Sequence, residues 1–476
     1  MNILAIDQGT SATKALLVGP GQEVLGTGEA PVRNQAAGDA VEVDPEELYS
    51  SVLAAGQAAL KAAGGASADA MALANQGETV LAWDKVTGRA LTRAISWQDR
   101  RAAAVCARMH ADAGRLAQIT GLPLDPYFAA PKMTWLRENL TRDGVVTTTD
   151  SWLVAKLSGQ FVTDASTASR TMLLDLDTAG WSPAACDAFG LDPADLPEVV
   201  DCAGIEGETA QFGRPLPVAG LAVDQQAALL AERCFAAGEA KCTYGTGAFL
   251  LAATGSRPVR SSAGLSASVA WRLDGAASYC LDGQVYTAGA AVDWLISAGV
   301  LTGPQELDVL GGSVSDGGGV IFVPALAGLG APHWRPDARG AFLGLTLAAS
   351  RAHLIRAAID GLAASVALLA RSVARDLGAP LTTLRVDGGL TRSTVLLQAQ
   401  ADLLQLPVEV CRVPDATALG MAALARLGLG DATSLADAVG PAGVEQIIAP
   451  RMSADEAAHR LARFEEALTI VTGTPL

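Results

Sequence analysis

Histidine is scarce in this chain of 476 residues, and its cysteines show no pairing pattern. There are four histidines and seven cysteines, an odd number, and no two cysteines form a CxxC motif. Scattered cysteines are typical of reduced thiols in a cytosolic protein, rather than of a disulfide framework or a zinc knuckle. Because histidine is so rare, we expect neither a histidine-based metal site nor a histidine triad, and we expect any general base to be a carboxylate.

Basic residues are also in short supply. The chain has 34 lysines and arginines against 50 aspartates and glutamates, which gives a formal charge of −16. Such a surface repels phosphate backbones and anionic lipids, so nucleic acid and membrane surfaces are poor candidate partners. Since half of the residues are apolar and only 18% are charged, the composition excludes a disordered chain.

Long hydrophobic runs are missing as well. No uninterrupted apolar stretch approaches the roughly 20 residues that a membrane span needs. The start of the chain, MNILAI, has no basic region and no signal-peptide cleavage site. We therefore expect a cytoplasmic protein, and the length predicts two large domains or a few small ones.

Strand-length apolar runs alternate with Ala-rich helical segments, a pattern that predicts an α/β protein. The predicted strands are 3–6, 14–18, 80–83, 249–253, 320–323 and 384–386. Three of them (3–6, 14–18 and 249–253) belong to a repeated pattern of strand, Gly-Thr turn and strand, first around residues 7–11 and again, after residues 240–243, around residues 244–247. A repeat half a chain apart predicts duplicated domains, 1–235 and 236–476.

The first turn, DQGTS at residues 7–11, carries groups suited to a phosphate. Its glycine lets backbone N–H groups approach an anion, while Thr10 and Ser11 add hydroxyls and Lys14 adds a cation. Asp7 ends the strand, where it could hold Mg²⁺ directly or through water. An ordinary Asx-type turn in a hairpin explains the same residues about equally well.

Two further glycine turns follow apolar strands. They are YGTG at residues 244–247 and DGG at residues 387–389, the latter followed by TRS at 391–393. Each allows close approach of a ligand, but each is equally consistent with a plain connection. The chain has neither GxxxxGK[ST] nor a GxGxxG after a strand, so neither a P-loop enzyme nor a dinucleotide fold is indicated.

Asp224 stands before an Ala/Leu-rich helix, in VDQQAA. The position predicts an N-cap, which explains an aspartate there without any catalytic role. Alternatively, its carboxylate is a general base that accepts a proton from a hydroxyl nucleophile. The two roles are compatible.

The chain resembles the FGGY family of carbohydrate kinases and, within it, the glycerol kinases. The resemblance lies in a series of motifs that follow in order along nearly the whole chain. The motifs are AIDQGT (5–10), NQGETV (75–80), SWQDRR (96–101), DPYF (125–128), TDSWL (149–153), TDASTASRTML (163–173), GLAVDQQAA (220–228), TYGTG (243–247), GLGAPHW (328–334), VDGG (386–389) and TALG (417–420).

The resemblance implies two actin-like (ribonuclease H-like) domains with ATP and substrate in the cleft between them. It implies Asp224 as the catalytic base, Asp7 for magnesium, and a small polyol or sugar as the acceptor. It also implies nucleotide contacts from both halves: Thr10, Ser11, Lys14, Gly245, Thr246, Gly289, Asp293, Gly388, Gly389 and Ser393. Asp293 and Ser393 stand where glycerol kinases usually have Gln and Asn. Dimers and tetramers are common among such relatives.

The implied acceptor pocket departs from the glycerol kinases at one position. Its residues are Gly77, Glu78, Trp97, Tyr127, Asp224, Gln225 and Phe249. Gly77 replaces an arginine, which removes a fork of hydrogen-bond donors and is expected to open space. We therefore expect glycerol or a longer polyol, such as a tetritol or pentitol, as acceptor. In the alternative, Arg93, Arg100 or Arg101 supplies the missing guanidinium.

Three other functions fit parts of the pattern. A ketose kinase of the xylulokinase type usually has Gln-Met-His-Gly where this chain has NQGE. An actin-like ATPase would need no acceptor pocket, and a silent sugar-binding paralogue would not need Asp7, Thr10 and Asp224 together. The basic loop that the resemblance would link to feedback by a sugar bisphosphate is not visible.

Overall fold

The computed structural model describes residues 1–411, 415–441 and 443–473. Strands and helices are interspersed along the described residues. In chain order the strands are β1 (Ile3–Gln8), β2 (Ala12–Val18), β3 (Val24–Pro31), β4 (Gln35–Ala37), β5 (Ala40–Val43), β6 (Ala70–Asn75), β7 (Val80–Trp83), β8 (Ala94–Ile95), β9 (Val145–Thr148), β10 (Val162–Asp164), β11 (Leu174–Asp175), β12 (Gly180–Trp181), β13 (Glu198–Val200), β14 (Glu208–Thr209), β15 (Leu216–Val223), β16 (Glu239–Tyr244), β17 (Ala248–Gly255), β18 (Ser266–Leu273), β19 (Ala276–Val285), β20 (Ile321–Val323), β21 (Ala341–Leu343), β22 (Thr383–Asp387), β23 (Val408–Cys411) and β24 (Val444–Ile448).

The helices cover the faces of the sheets. They are α1 (Pro45–Ala62), α2 (Ala103–Arg108), α3 (Ala113–Thr120), α4 (Ala129–Asn139), α5 (Thr149–Ser158), α6 (Ala165–Ser169), α7 (Pro183–Phe189), α8 (Asp224–Ala231), α9 (Gly289–Ser297), α10 (Glu306–Gly311), α11 (Arg351–Leu377), α12 (Thr394–Leu404), α13 (Ala416–Gly428), α14 (Leu435–Val439) and α15 (Ala454–Thr472). Each of the six predicted strands is confirmed, with bounds that differ by at most a few residues.

The two largest sheets have the same arrangement of strands when the order of one sheet is read in reverse. The first runs β14-β15-β6-β1-β2-β3, and the second runs β18-β19-β17-β16-β22-β23-β24. In each, an antiparallel hairpin (β1 with β2, β16 with β17) is flanked on its other side by a parallel strand (β6, β22). The repeated hairpin predicted from the sequence is therefore confirmed, and the fold is the α/β fold with two actin-like halves.

Elements on the two sides of the predicted boundary near residue 235 pack against each other. Helix α13 belongs to the second half of the chain, yet it packs against α8, β15, β1 and β6 of the first half. Gly420 makes this possible, because a Cβ there would lie 2.0 Å from the carbonyl oxygen of Ala227. The domain boundary at residue 235 stays a prediction. The last three residues of the predicted second domain lie outside the described part of the chain.

Helix α11 passes a composition test for a membrane span. It is 27 residues long, and 78% of its most apolar 18-residue window is buried inside the protein. Its apolar side chains join the core of the second large sheet, alongside those of β17, β19 and α12. Such burial is typical of a core helix, which can pass the same test of length and composition as a membrane span.

Candidate active site

The β1–β2 turn lies at one end of the first large sheet, where Asp7 pairs in register with Lys14. Gly9 donates its N–H to the carbonyl of Ala12 at 3.1 Å, and a Cβ at Gly9 would approach that oxygen to 2.9 Å. Burial and the nearby charge of Asp224 raise the pKa of Asp7 to about 7. These features make a tight turn with an acidic group beneath it.

The hydroxyls and the cation of this turn differ in their surroundings. Thr10 accepts a hydrogen bond from the indole N–H of Trp97 at 2.9 Å. Ser11 and Lys14 are exposed, and the ammonium group of Lys14 lies 2.9 Å from the carboxylate of Asp415. A nucleotide phosphate bound here would compete with Asp415 for that ammonium.

Asp224 is not the N-cap that the sequence predicts. The cap is Val223, and Asp224 is the first residue of α8. Its carboxylate accepts the backbone N–H of Gln225 at 2.6 Å, so it still neutralises the positive end of the helix. Burial, followed by the charge of Glu78, raises the pKa of Asp224 to about 6. A carboxylate in this state is a better proton acceptor than an exposed aspartate.

A buried lysine supports the helix start from the other half of the molecule. Lys241, on β16, is fully buried. Its ammonium group donates to the side-chain oxygen of Gln225 at 2.6 Å and to the hydroxyl of Thr243 at 2.9 Å. The positive charge of Lys241 acts against the rise in the pKa of Asp224. Lys241 was not among the residues predicted from the sequence.

A small polar cavity lies beside Asp224. Its volume is about 30 Å³. Of the predicted acceptor residues, Glu78, Tyr127, Asp224, Gln225 and Phe249 line it. The remaining two do not. Trp97 packs edge-on against Tyr127, with 5.7 Å between ring centroids, and so supports the wall from behind.

The structure does not provide the open space expected at Gly77. A Cβ at this position would lie 2.9 Å from Cγ2 of Val223, and Val223 itself lines the cavity. Any side chain at position 77 would therefore have to displace Val223. The missing arginine leaves no vacancy in that direction, which corrects the expectation.

The guanidinium of the pocket comes from Arg170. This side chain is buried, lines the cavity, and bonds Glu78 through Nε at 2.6 Å and Asp282 through Nη1. Its plane also faces the ring of Phe128. Removing one partner of such a buried pair leaves an uncompensated charge, at a cost of about 3–5 kcal/mol.

The three arginines that the sequence offered for this role have other partners. Arg93 pairs with Glu42, Arg101 pairs with Glu42 and Asp99, and Arg100 pairs with Asp125. The sequence could have pointed to Arg170 only through its place in the motif at 163–173. Asp282 gave no local signal, because a buried acid in a strand is recognisable only from what lies opposite it.

On the nucleotide side, the β16–β17 turn packs against the start of α9. Gly289 donates its N–H to the carbonyl of Gly245 at 2.9 Å, and Ala290 donates to that of Thr246 at 3.0 Å. A Cβ at Gly289 would lie 2.7 Å from the Gly245 oxygen. The close approach explains why glycine occupies position 289, and it brings three predicted nucleotide contacts together.

Gly388 and Gly389 have different environments. Gly388 has φ +94°, and a Cβ there would lie 2.5 Å from the carbonyl oxygen of Tyr244, so it joins β22 to the β16–β17 turn. Around Gly389, by contrast, no atom of the described residues lies within 4 Å of the Cβ position. Gly388 therefore has a packing role, and Gly389 faces open space.

That space is a cavity of about 390 Å³, lined by Gly389 and Ser393 together with residues of α10 and the loop before it. Ser393 caps α12 and its hydroxyl bonds the carboxylate of Asp308. Asp293 is exposed and is not part of the lining. The volume suits the adenosine part of a nucleotide.

The residues around Asp7 suit a magnesium ion held by one carboxylate, and they do not form a cage of protein ligands. In the described residues, no three His, Cys, Asp or Glu side chains are grouped to hold a metal. Oδ1 of Asp7 is buried and has no hydrogen-bond partner in the part of the chain that the structure describes. Mg²⁺ in kinases usually takes one or two carboxylates plus water and substrate phosphates, which is what a single free carboxylate oxygen offers.

Comparison with known proteins agrees with this geometry. Models of the FGGY family of carbohydrate kinases match the chain, the N-terminal domain over residues 2–231 and the C-terminal domain over residues 240–429. The chain belongs to this family, and it is a carbohydrate or polyol kinase.

Its relatives include two named glycerol kinases. The one from Thermus brockianus is 46% identical over 452 residues, 91% of each chain. The one from Alkalilimnicola ehrlichii is 41% identical over 486 residues, 98% of this chain and 97% of the other. A crystal structure of Plasmodium falciparum glycerol kinase with ADP superimposes with a TM-score of 0.93 at 29% identity, covering 99% of this chain and 98% of the other.

Proposed function

We propose that this enzyme transfers the γ-phosphoryl group of Mg-ATP to a hydroxyl of a small neutral polyol, either glycerol or a longer polyol such as a tetritol or pentitol. The observation that carries the proposal is the polar cavity beside Asp224, which combines a carboxylate of raised pKa with Glu78, Arg170 and two aromatic side chains. The relatives named glycerol kinase support the same class of acceptor.

Asp224 is the proposed general base. A hydroxyl is a weak nucleophile, and phosphoryl transfer depends mainly on alignment and on neutralising charge. Asp224 orients the attacking hydroxyl and accepts its proton, while Lys241 holds the adjacent Gln225 in place. Glu78 and Arg170 are placed to bond other hydroxyls, and Tyr127 and Phe249 contact the carbon skeleton.

The charge of the cavity favours a neutral acceptor. Its acidic side chains are Glu78, Asp224 and Asp282, and among the residues that the structure describes Arg170 is the only basic side chain in its lining. A sugar acid or a sugar phosphate would place a further negative charge among these carboxylates, which costs several kcal/mol when like charges meet out of water. Polyols avoid this repulsion and satisfy the carboxylates through their hydroxyl donors.

Residues from both halves are proposed to hold Mg-ATP. Asp7 holds the metal, the β1–β2 turn with Thr10, Ser11 and Lys14 binds the terminal phosphates, and Gly245 and Thr246 bind from the opposite turn. Gly289 and Gly388 shape that turn. The cavity beside Gly389 and Ser393 takes the adenosine, and Asp293 lies beyond its rim. When bound, the metal offsets charge on the transferring oxygens.

The proposal is tested by measuring ADP release with Mg-ATP across glycerol, erythritol, threitol, the pentitols, C4–C5 ketoses and gluconate. We expect stimulation by neutral polyols and none by gluconate. If ketoses give the highest ADP release, the acceptor is a xylulose-type ketose and the proposed polyol is wrong. ADP release that is the same with and without every acceptor would favour an ATPase and would contradict the proposal.

A further inference from the structure

Gln284 lies in β19 on the same side of the sheet as Asp282, because side chains two residues apart in a strand share a face. Both line the cavity beside Asp224. In the register of the sheet Gln284 lies opposite Phe249 of β17, another residue of the cavity. Neither the sequence motifs nor the proposed mechanism uses Gln284.

The amide of Gln284 is buried without a full set of partners. The side chain is 3% exposed, and its Nε2 has no hydrogen-bond partner among the residues that the structure describes. A buried donor that has lost its contact with water and gained no partner is unfavourable. A ligand that accepts this hydrogen bond therefore recovers a cost that the empty cavity leaves in place.

The backbone holds this amide at the cavity. A Cβ at Gly330 would lie 2.8 Å from the carbonyl oxygen of Gln284 and 3.1 Å from its Cγ, so the 328–334 loop packs directly behind the side chain. The neighbouring polar group is the hydroxyl of Tyr286, which accepts a hydrogen bond from Nη2 of Arg100 at 3.4 Å. Gln284 also lines a second cavity on that side, but its volume is only about 20 Å³, so there is little space into which the amide could turn away from Asp224.

From this arrangement we infer that Gln284 is a specificity-determining residue, which pairs with a hydroxyl of the acceptor other than the one that is phosphorylated. The inference rests on the proposed polyol kinase function and adds a contact to it. A hydroxyl both donates and accepts, so it can pair with either atom of an amide. A neutral amide also adds no charge to a cavity that already holds three carboxylates.

Gln284 further defines the acceptor as one that reaches across the cavity. Asp224 and Glu78 come from the first half of the chain, whereas Gln284 comes from a strand of the second half. An acceptor that bonds both must have hydroxyls on more than one carbon. Its hydroxyl at Gln284 is bound only when the two halves are together, so the contact selects among polyols by length and configuration.

The test compares Gln284→Leu with the unaltered enzyme on the same polyol panel and on monodeoxy derivatives of the best acceptor. We expect the variant to lose about 10- to 100-fold in kcat/KM for the best acceptor, with the KM for ATP unchanged. With the unaltered enzyme, one deoxy derivative is expected to have a kcat/KM that is lower than that of the best acceptor by the same factor. With the variant, this derivative and the best acceptor are expected to have equal kcat/KM. That loss of additivity identifies the bonded hydroxyl.

Gln398→Leu is the matched control, because its amide lies on α12, where it bonds Asp402 and the carbonyl of Ala449. We expect it to leave the acceptor profile unchanged. Equal losses for every acceptor and derivative, or no loss at all, would overturn the inference while leaving the kinase function intact. An unaltered enzyme that no acceptor stimulates would instead overturn the proposed function itself. Gln284→Asn, which keeps the amide but shortens it, is expected to shift preference among polyols rather than abolish activity.

Discussion

At the scale of a single residue, the surroundings of Asp224 act on its pKa in two opposite directions. Burial and the charge of Glu78 make its ionised form costly, and the same conditions make it a stronger base. The backbone N–H of Gln225 and the charge of Lys241 act in the opposite direction. The resulting pKa of about 6 leaves the carboxylate ionised at neutral pH, as a general base requires.

The first prediction concerns the pH dependence of the reaction. Because Asp224 must be ionised to accept a proton, kcat/KM for the acceptor at saturating Mg-ATP, where the metal keeps Asp7 ionised, is expected to fall about tenfold for each pH unit below about 6. Lys241→Met removes a positive charge that lowers the pKa of Asp224, so the acidic limb of the profile should move to higher pH. Steady-state rates from pH 4.5 to about 9 check both points, and an acidic limb that stays in place in the variant would contradict the role given to Lys241.

Asp224→Asn is expected to abolish activity and to stabilise the fold. A pKa that folding raises from 3.8 to about 6 destabilises the ionised state by roughly 3 kcal/mol well above pH 6. Because the folded protein binds this proton more tightly than the unfolded chain does, the free energy of unfolding falls as the pH rises and the proton is lost. The free energy of unfolding of the variant should exceed that of the unaltered enzyme at pH 8, and the gap should close near pH 4. Denaturant unfolding at the two pH values measures it, and a variant less stable at pH 8 would refute the prediction.

At the scale of secondary-structure elements, the adjacent glycines after β22 have separate roles. Gly388 carries a left-handed backbone and approaches the carbonyl of Tyr244, whereas Gly389 faces the cavity. The junction of β22 with the β16–β17 turn thus depends on one glycine, and ligand access depends on the next. A Gly-Gly pair in a sequence does not reveal this division.

Gly388→Ala and Gly389→Ala form a matched pair that tests it. Gly388→Ala is expected to lower the free energy of unfolding by about 2 kcal/mol or more, because the alanine has both an unfavourable φ and a contact at 2.5 Å. Gly389→Ala should leave stability nearly unchanged and raise the KM for ATP. Thermal unfolding and ATP kinetics of both variants separate the effects. Equal destabilisation by the two would show that the difference in packing has no energetic consequence.

At the scale of the whole molecule, the two halves meet over a cavity that is too small for the proposed acceptors. A volume of about 30 Å³ holds roughly two water molecules. Contacts that join the halves include Arg170 with Asp282, Lys14 with Asp415, and Arg100 with the hydroxyl of Tyr286. The arrangement is that of a closed cleft, which excludes water from the transfer reaction.

We predict that the halves separate to admit the acceptor. We expect the radius of gyration from small-angle X-ray scattering to be larger for the free enzyme than for its complex with a polyol and a non-hydrolysable ATP analogue. Glycerol-free buffer and the analogue alone serve as controls. Identical scattering in all three states would indicate that the acceptor enters through local side-chain movement instead of domain opening.

Much of the fold could be predicted from the sequence because its signals are local. Apolar runs of strand length and glycine turns at strand ends identified β1, β2, β7, β17, β20 and β22 and the repeated hairpin. The proposed phosphate turns and the proposed base, Asp224, come from the same local patterns together with the family motifs, and their roles stay predictions. These features depend on residues that are neighbours in the chain.

The composition and the order of motifs were thus sufficient for the α/β class, the kinase family, and the expectation that a carboxylate is the base. Tertiary structure alone decided that Arg170 supplies the guanidinium of the pocket, that Val223 occupies the space beside Gly77, that Asp224 begins α8 rather than capping it, and that Lys241 and Gln284 join the site. The start of α8 depends on local backbone geometry. Each of the others rests on residues that are distant in sequence and meet only when the chain folds. Burial, charge pairing and hydrogen-bond satisfaction are properties of that meeting, and no local pattern records them.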